Sequence, residues 1–320
     1  MSMFFPGNAK LIGIAAQVDK DTPAASPTLY FEVTNYTKDP VRTQAPLNET
    51  DRSAQQGANH VTAITPGCGF DCYGRPGYMS TISEALLWDS DADITNGIDT
   101  AVPSQVPVYW TIWEIEPGLY TDRYDGCVGV SGTFTAQDEG ETELKVTGLT
   151  FIALGFTAHV TEPVSLPDPN DEMPFIFAEV TVNYDSNHLG TTSAFTVNVN
   201  RNAKRITGDN GFQSLDVSAG KLQVDGTITR YVETDGTKRA VDTGTAGGTT
   251  PTTTIFDESL EILFDRVAES KSFSITSMAV AYPTREQAIN LDGSPLAEVL
   301  GFATQPQADA ADNITLVSEA

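Results

Sequence analysis

Apolar side chains in this chain recur at every second position, a period that suits an extended strand with one buried face. Ile12, Ile14, Ala16 and Val18 alternate in this way, as do Leu29, Phe31 and Val33. Val128, Val130, Gly132 and Phe134 share one face of a strand, with Cys127, Gly129, Ser131 and Thr133 on the other. The pattern returns at Ala178–Tyr184, Phe195–Val199 and Leu222–Ile228, then at Leu260–Phe264, Phe273–Ile275, Met278–Tyr282 and Ile314–Leu316. Most runs are bounded by Gly, Asn, Asp or Pro, the residues of turns. The expected fold class is mainly β, with antiparallel sheets of the one-sided or sandwich kind. The clearest helix signal is Ser80–Trp88, where Ser80 or Ser83 is the expected cap and Ile82, Ala85 and Leu86 form the apolar stripe. Asp257–Phe264 contains good helix formers, but its alternation and its neighbours favour a strand.

A length of 320 residues leaves room for two domains, each able to bury a core without metals or disulfides. Glu162–Met173 packs three prolines and four acids into twelve residues and reads as a linker. The expected organisation is a first β domain over 1–165 with an N-terminal arm, a linker at 166–173, and a second β domain over 174–320. The polar segments Thr37–His60 and Thr234–Thr254 read as long loops, the second at a hairpin tip. Leu149–Phe156, the most apolar stretch, falls well short of the roughly 20 residues needed to span a bilayer. No secretory signal opens the sequence, so a protein made in the cytoplasm is expected.

Charge narrows the choice of partner. The 43 acids against 18 bases give a formal net charge of −25. The excess is even, with 21 acids and 8 bases in Met1–Ser165 and 22 and 10 in the remainder. Tight binding to a phosphate backbone needs clustered Lys and Arg and is not expected. An even acidic coat fits a protein that stays hydrated in concentrated salt, where charge repulsion is screened within about 3 Å at 1 M.

Candidate chemistry is sparse. Glu114 and Glu116 would point to the same side of a strand, roughly 6.5–7 Å apart. The spacing is similar to that of laminarinase-type glycosidases, but those need a further acid in the run, and Pro117-Gly118 ends this one. Cys68 and Cys72 flank Asp71, yet His60, His159 and His188 supply no second pair for zinc. They read as loop cysteines and, with Cys127, as free thiols. No serine lies in a G-x-S-x-G elbow, and Gly244–Pro251 lacks the lysine of a phosphate loop. The acidic runs Asp89–Asp93 and Asp168–Glu172 read as solvated loops rather than calcium sites. No catalytic, cofactor-binding or metal residues are expected, and no enzymatic activity.

The order of features resembles the major tail tube proteins of siphoviruses. Lys10–Val18, the loop Asp21–Ala25 and Thr28–Thr34 are similar to the family's opening strand, loop and strand. A polar loop follows from Arg42 to Arg52, then the glycine-rich turn Cys72–Gly77 leading into Tyr78–Trp88. Phe195–Asn202, with Arg205 and Gly208, is similar to a tube-type strand and turn, and Gly220–Tyr231 to the strand after it. Leu291–Gly293, Leu296–Phe302 and Asn313–Val317 resemble the closing segments. The resemblance implies two β-sandwich or half-barrel domains, each with a short flanking helix, assembling into a ring with a continuous inner barrel. It implies a virion tail component that self-associates, three chains to a pseudo-sixfold ring, stacked into a tube. The other partners implied are a tape measure protein, tail terminator and distal tail or baseplate proteins, and viral DNA passing without tight binding; no membrane and no cofactor is implied. Asp and Glu at alternating strand positions are expected to face the channel. Contacts between rings are expected from Thr37–His60, Thr234–Thr254, Met1–Asn8 and Gln305–Ala320. A surface or capsid-decorating carbohydrate-binding module is the alternative, with Tyr109, Trp110 and Trp113 as its aromatic platform.

Overall fold

The computed structural model describes residues 10–38, 42–46, 59–89, 98–140, 142–162, 172–184, 187–188, 191–208, 214–231, 259–277, 280–287, 297–304 and 314–319. Met1–Asn8, Thr234–Thr254 and most of the expected linker lie outside them. The chain is mainly β. Its first half forms β1 (Leu11–Ala16), β2 (Leu29–Lys38), β3 (Arg42–Pro46), β4 (Asn59–Ile64), β5 (Gly67–Tyr73), helix α1 (Pro76–Leu87), β6 (Ile98–Ala101), β7 (Trp110–Glu116), β8 (Tyr120–Gln137), β9 (Lys145–Ile152) and β10 (Gly155–Thr157). The second half forms β11 (Val180–Tyr184), β12 (Asn187–His188), β13 (Thr192–Asn200), β14 (Lys204–Thr207), β15 (Ser214–Ser218), β16 (Gln223–Tyr231), β17 (Leu260–Arg266), β18 (Lys271–Ser277), β19 (Val280–Gln287), β20 (Ala297–Thr304) and β21 (Ile314–Glu319).

Strands β8, β7, β1, β2, β5 and β9 pair in that order, and β9 returns to β8, closing a six-stranded antiparallel barrel. The eighteen-residue β8 makes this possible. Its leading part pairs with β7, and its trailing part with β9 on one edge and β13 on the other. Through β13 the sheet runs on to β16, β20 and β19. A second sheet, in the order β12-β11-β17-β18-β21-β6, backs this extension. Its last member, β6, comes from the first half of the chain.

Period-two burial sets the core. Phe195, Val197 and Val199 of β13 turn inward with Val224 and Ile228 of β16 and Leu300 and Phe302 of β20. They meet Phe264 and Phe273 of the second sheet, and Phe134 of β8 lies 5.8 Å from Phe273 between ring centroids. One apolar cluster runs from Ile12 to Leu316, so the two halves share a core. A small second cluster, Ala15, Trp113 and Ile115, covers the other face of β1 and β7.

Helix α1 begins at Pro76, four residues before Ser80, and no side chain caps it. Proline suits the first helical position, where its missing N–H would have no partner. Ser80 instead donates to the Asp99 carboxylate, so the expected cap at Ser80 or Ser83 is corrected. The helix ends at Trp88 in the left-handed region (φ 59°). Its last turn lies so close to β8 that a Cβ on Gly129 would sit 2.3 Å from the Ala85 carbonyl oxygen. Among the described residues of the second half, the one helical element is a 3-10 turn at Phe177–Glu179.

Other expectations also change. Cys68 and Cys72 are not in a loop; they alternate with Gly69 and Asp71 along β5 and point with Phe70 into the core. The segment Thr37–His60 includes the end of β2 and a hairpin, β3 with β4, whose remaining residues lie outside those described. The segment Gln305–Ala320 is not wholly an arm, because β21 is an interior strand between β18 and β6. The strand expected at Asp257–Phe264 is β17.

Candidate functional site

The broadest surface feature is the solvent-facing side of the run β2-β5-β9-β8-β13-β16-β20-β19. Its inward positions are apolar apart from the buried pair Arg230 and Glu298, so the alternate positions are left mainly to short polar side chains. Ser131, Thr133 and Thr135 of β8 lie beside Asn200, Asn198 and Thr196 of β13, which lie beside Gln223, Asp225 and Thr227 of β16. Several of these groups bond one another. The Thr133 hydroxyl donates to Asn198 Oδ1 (3.0 Å), Asn198 Nδ2 donates to Asp225 Oδ1 (2.9 Å), and Gln223 Nε2 donates to Asp225 Oδ2 (2.9 Å). On the other side of β8, Ser131 and Thr150 share a hydrogen bond of 2.7 Å. Asp71 of β5 accepts from Asn35 Nδ2 of β2 (3.1 Å) and from the Gly148 N–H of β9 (2.7 Å). A row of hydroxyls, amides and carboxylates thus crosses the sheet. Its described ionisable groups include the carboxylates Asp71 and Asp225 and, opposite Val299, Glu286, against the single base Lys145.

A second polar cluster closes one end of the barrel, where β1 begins, β2 ends and β7 turns into β8. Glu114 is buried there because it shares a face with Trp110 and Ile112 of β7. Its carboxylate accepts from Lys10 Nζ at 2.6 Å and Lys38 Nζ at 3.3 Å, and Lys38 also reaches Asp122 at 2.7 Å. Lys10 reaches Glu116 at 3.0 Å, and the Tyr120 hydroxyl donates to both glutamates. Lys10 lies over the ring of Tyr36, 4.5 Å from its centroid. Burial alone would lower the Lys38 ammonium, but Asp122 and Glu114 outweigh it and hold it above the ordinary lysine range. Lys10 is raised in the same way by Glu114 and Glu116. Burial opposes ionisation of Glu116, yet Lys10 and Tyr120 hold it below the usual carboxylate range. The Glu114–Glu116 pair is therefore neutralised within a structural cluster.

Buried arginines tie the second half to the first. Arg201, fully buried just after β13, donates to the carbonyl oxygens of Leu86 (3.0 Å) and Leu87 at the end of α1. Its guanidinium lies 4.8 Å from the Trp88 ring centroid. A cation suits the negative end of a helix dipole. Burial lowers its pKa to about 10. Arg205 of β14 donates to the carbonyls of Ala153 and Pro66, beside the barrel. Within the second half, Arg230 of β16 pairs with Glu298 of β20 at 2.8 Å, both buried. Nothing in the alternation announced these inward charges; Arg201 and Arg230 occupy positions that a two-residue period alone would give to apolar side chains.

The remaining candidates settle into structural roles. Cys68, Cys72 and Cys127 are free and buried. Burial pushes the Cys72 thiol up to about 12, which makes it a poor nucleophile. No group of three His, Cys, Asp or Glu able to hold a metal occurs among the described residues. Asp89 accepts from the Val102 N–H and Glu172 from the Gly77 N–H, while most of both acidic runs lies outside the described residues. Trp110 and Trp113 are buried and Tyr109 bonds Asp216 (2.6 Å), so the sugar platform of the alternative reading is not present in these three residues. In a comparison with protein families, residues 7–316 match the family described as phage tail tube protein. No curated protein matches the chain.

Proposed function

The chain belongs to the phage tail tube protein family, and from that premise we propose that its copies close into rings, that the rings stack into a tail tube, and that viral DNA passes through the channel. The observation that carries this reading is the broad sheet whose polar face is crossed by side chains bonded to one another. Thr133, Asn198 and Gln223, already bonded to neighbouring strands or side chains, hold donors that a phosphate backbone would otherwise take. The carboxylates Asp71, Asp225 and Glu286 repel it, and Lys145, the one base among the described side chains of that face, is too little for tight binding. This face is the proposed channel wall, with fewer carboxylates at alternating positions than an acidic lining would have.

The finer reading follows the siphovirus type of tail, with three chains to a ring. Two β units, 1–165 and 174–320, each supply one sixth of it. Tape measure, terminator and distal tail or baseplate proteins are the proposed partners, and a virus of salt-adapted hosts, such as haloarchaea, the proposed source. The even negative charge supports the last point. Negative-stain microscopy of the purified protein in high and low salt tests the proposal. Rings or tubes with a central hole are expected. A monodisperse monomer under all conditions would sink the reading.

A further inference from the structure

The two halves of the chain repeat one connectivity. In the first, β1 pairs with β7, β7 with the leading part of β8, and that part with β10. The trailing part of β8 pairs with β9, β9 with β5, and β5 with β2. The hairpin β3–β4 is inserted between β2 and β5. In the second, β11 pairs with β17, β17 with β18, and β18 with β21. Then β19 pairs with β20, β20 with β16, and β16 with β13. The hairpin β14–β15 is inserted between β13 and β16. Strands β18 and β19, two residues apart, stand where β8 runs unbroken.

The repeat reaches individual side chains. Asn35 of β2 stands opposite Asp71 of β5 and bonds it; Asn198 of β13 stands opposite Asp225 of β16 and bonds it. The order of the long sheet is then one four-stranded block, β2-β5-β9-β8, followed by its equivalent, β13-β16-β20-β19. Inside the chain the blocks meet where β8 pairs antiparallel with β13, over Ser131–Gln137 and Ala194–Asn200.

That junction has open counterparts at both ends of the sheet. Among the described residues β19 pairs with β20 alone, which leaves its other edge free. Among the described residues Val33–Lys38 of β2 likewise pair with β5 alone, because β1 reaches only Leu29–Glu32. Unpaired edges of this length are templates for another chain. We propose that β19 of one copy pairs antiparallel with Val33–Lys38 of β2 in the next copy, repeating the β8–β13 contact between chains. This rests on the reading that copies of the chain form rings. The contact is heterologous, so it closes into a ring when the rotation between copies allows. Backbone hydrogen bonds along a stretch whose exposed side chains are Thr34, Asn35, Thr37 and Lys38, with no carboxylate among them, suit a chain whose charge of −25 opposes self-association elsewhere.

The repeat also fixes the register. Thr133 stands opposite Asn198 at the internal junction. Ala281 reaches Asp225 through Ala303, as Thr133 reaches Asp71 through Thr147 and Gly148. Ala281 therefore belongs opposite Asn35 of the next copy, within the roughly 5 Å between Cβ atoms of facing residues. The test introduces Asn35→Cys and Ala281→Cys, singly and together, and treats the assembled protein with a short bismaleimide. The double variant should give covalent dimers and trimers on denaturing electrophoresis, and an equimolar mixture of the single variants should give dimers. Either single variant alone and the unaltered protein, whose three cysteines are buried, should stay monomeric. Rings visible by microscopy without cross-linking in the double variant would overturn the contact and leave the tube reading standing. So would dimers from one single variant, which mean a two-fold contact. An unaltered protein that forms no rings would overturn both.

Discussion

The first half of the chain closes on itself, whereas the second, with the same strand order, stays open. In the first, β1 pairs with β2 and completes the barrel. In the second no pairing joins β11 to β13 among the described residues, and the gap is filled by packing Phe264 and Phe273 against Phe134 and Phe195. The closed half holds charge at its barrel end, in the cluster of Lys10, Lys38, Glu114, Glu116 and Asp122. The open half depends on its neighbour, taking β6 into its sheet and anchoring Arg201 on α1. A repeated unit thus need not be a repeated domain. Closure in one copy and borrowing in the other give a single body with one core.

Five substitutions would break or sharpen this contrast. Glu114→Ala should have the largest effect, about 4 kcal/mol of stability in denaturant unfolding, because it strips a buried partner from two lysines. A loss below about 1 kcal/mol would mean that the barrel end is held by something else. Arg201→Met should cost about 3 kcal/mol by removing two bonds to the end of α1. The loss should be accompanied by faster hydrogen exchange in α1; unchanged exchange there would refute the anchoring role. Asn198→Ala should cost about 1.5 kcal/mol and Asn35→Ala about 1 kcal/mol in the unassembled chain, since Asn198 also accepts from Thr133. The reverse order would argue against their equivalence.

Glu84→Gln should have the smallest effect, with a dependence on pH. Burial, then Asp99 and Asp89, raise the Glu84 carboxyl from 4.5 to about 7. The folded state therefore keeps a proton that the unfolded chain releases, and stability falls as pH rises from 4.5 to 7. Glu84 is partly exposed, so the substitution should gain less than about 1 kcal/mol at pH 8 and nothing at pH 4. Thermal melts at both values check it. An equal gain at both would show that the effect is not ionisation.

The strands were legible because each buries one face. Phe195, Val197 and Val199 in β13 and Leu260, Ile262 and Phe264 in β17 carry that signal in their spacing alone. The repeat was not legible, because pairing partners lie far apart in sequence, and its matching chemistry, as at Asn35–Asp71 and Asn198–Asp225, shows only once the strands are paired. The start of α1 was missed although Pro76 marks it, since proline at a first helical position announces a helix as well as a serine cap does. The polar sheet face was half legible. Alternating Thr and Asn in β13, and Gln, Asp and Thr in β16, showed in the sequence, but which strands lie side by side did not. The charged barrel end was hidden, because Lys10, Lys38 and Glu114 meet only once β1, β2 and β7 are in register.

The most direct test of the central claim is the symmetry of the assembled ring in end-on cryo-electron microscopy averages. Three chains of 34.3 kDa should form each ring, with six similar blocks of four strands around the channel. A ring of six whole chains, or a channel wall in which β2 and β19 do not meet, would contradict it.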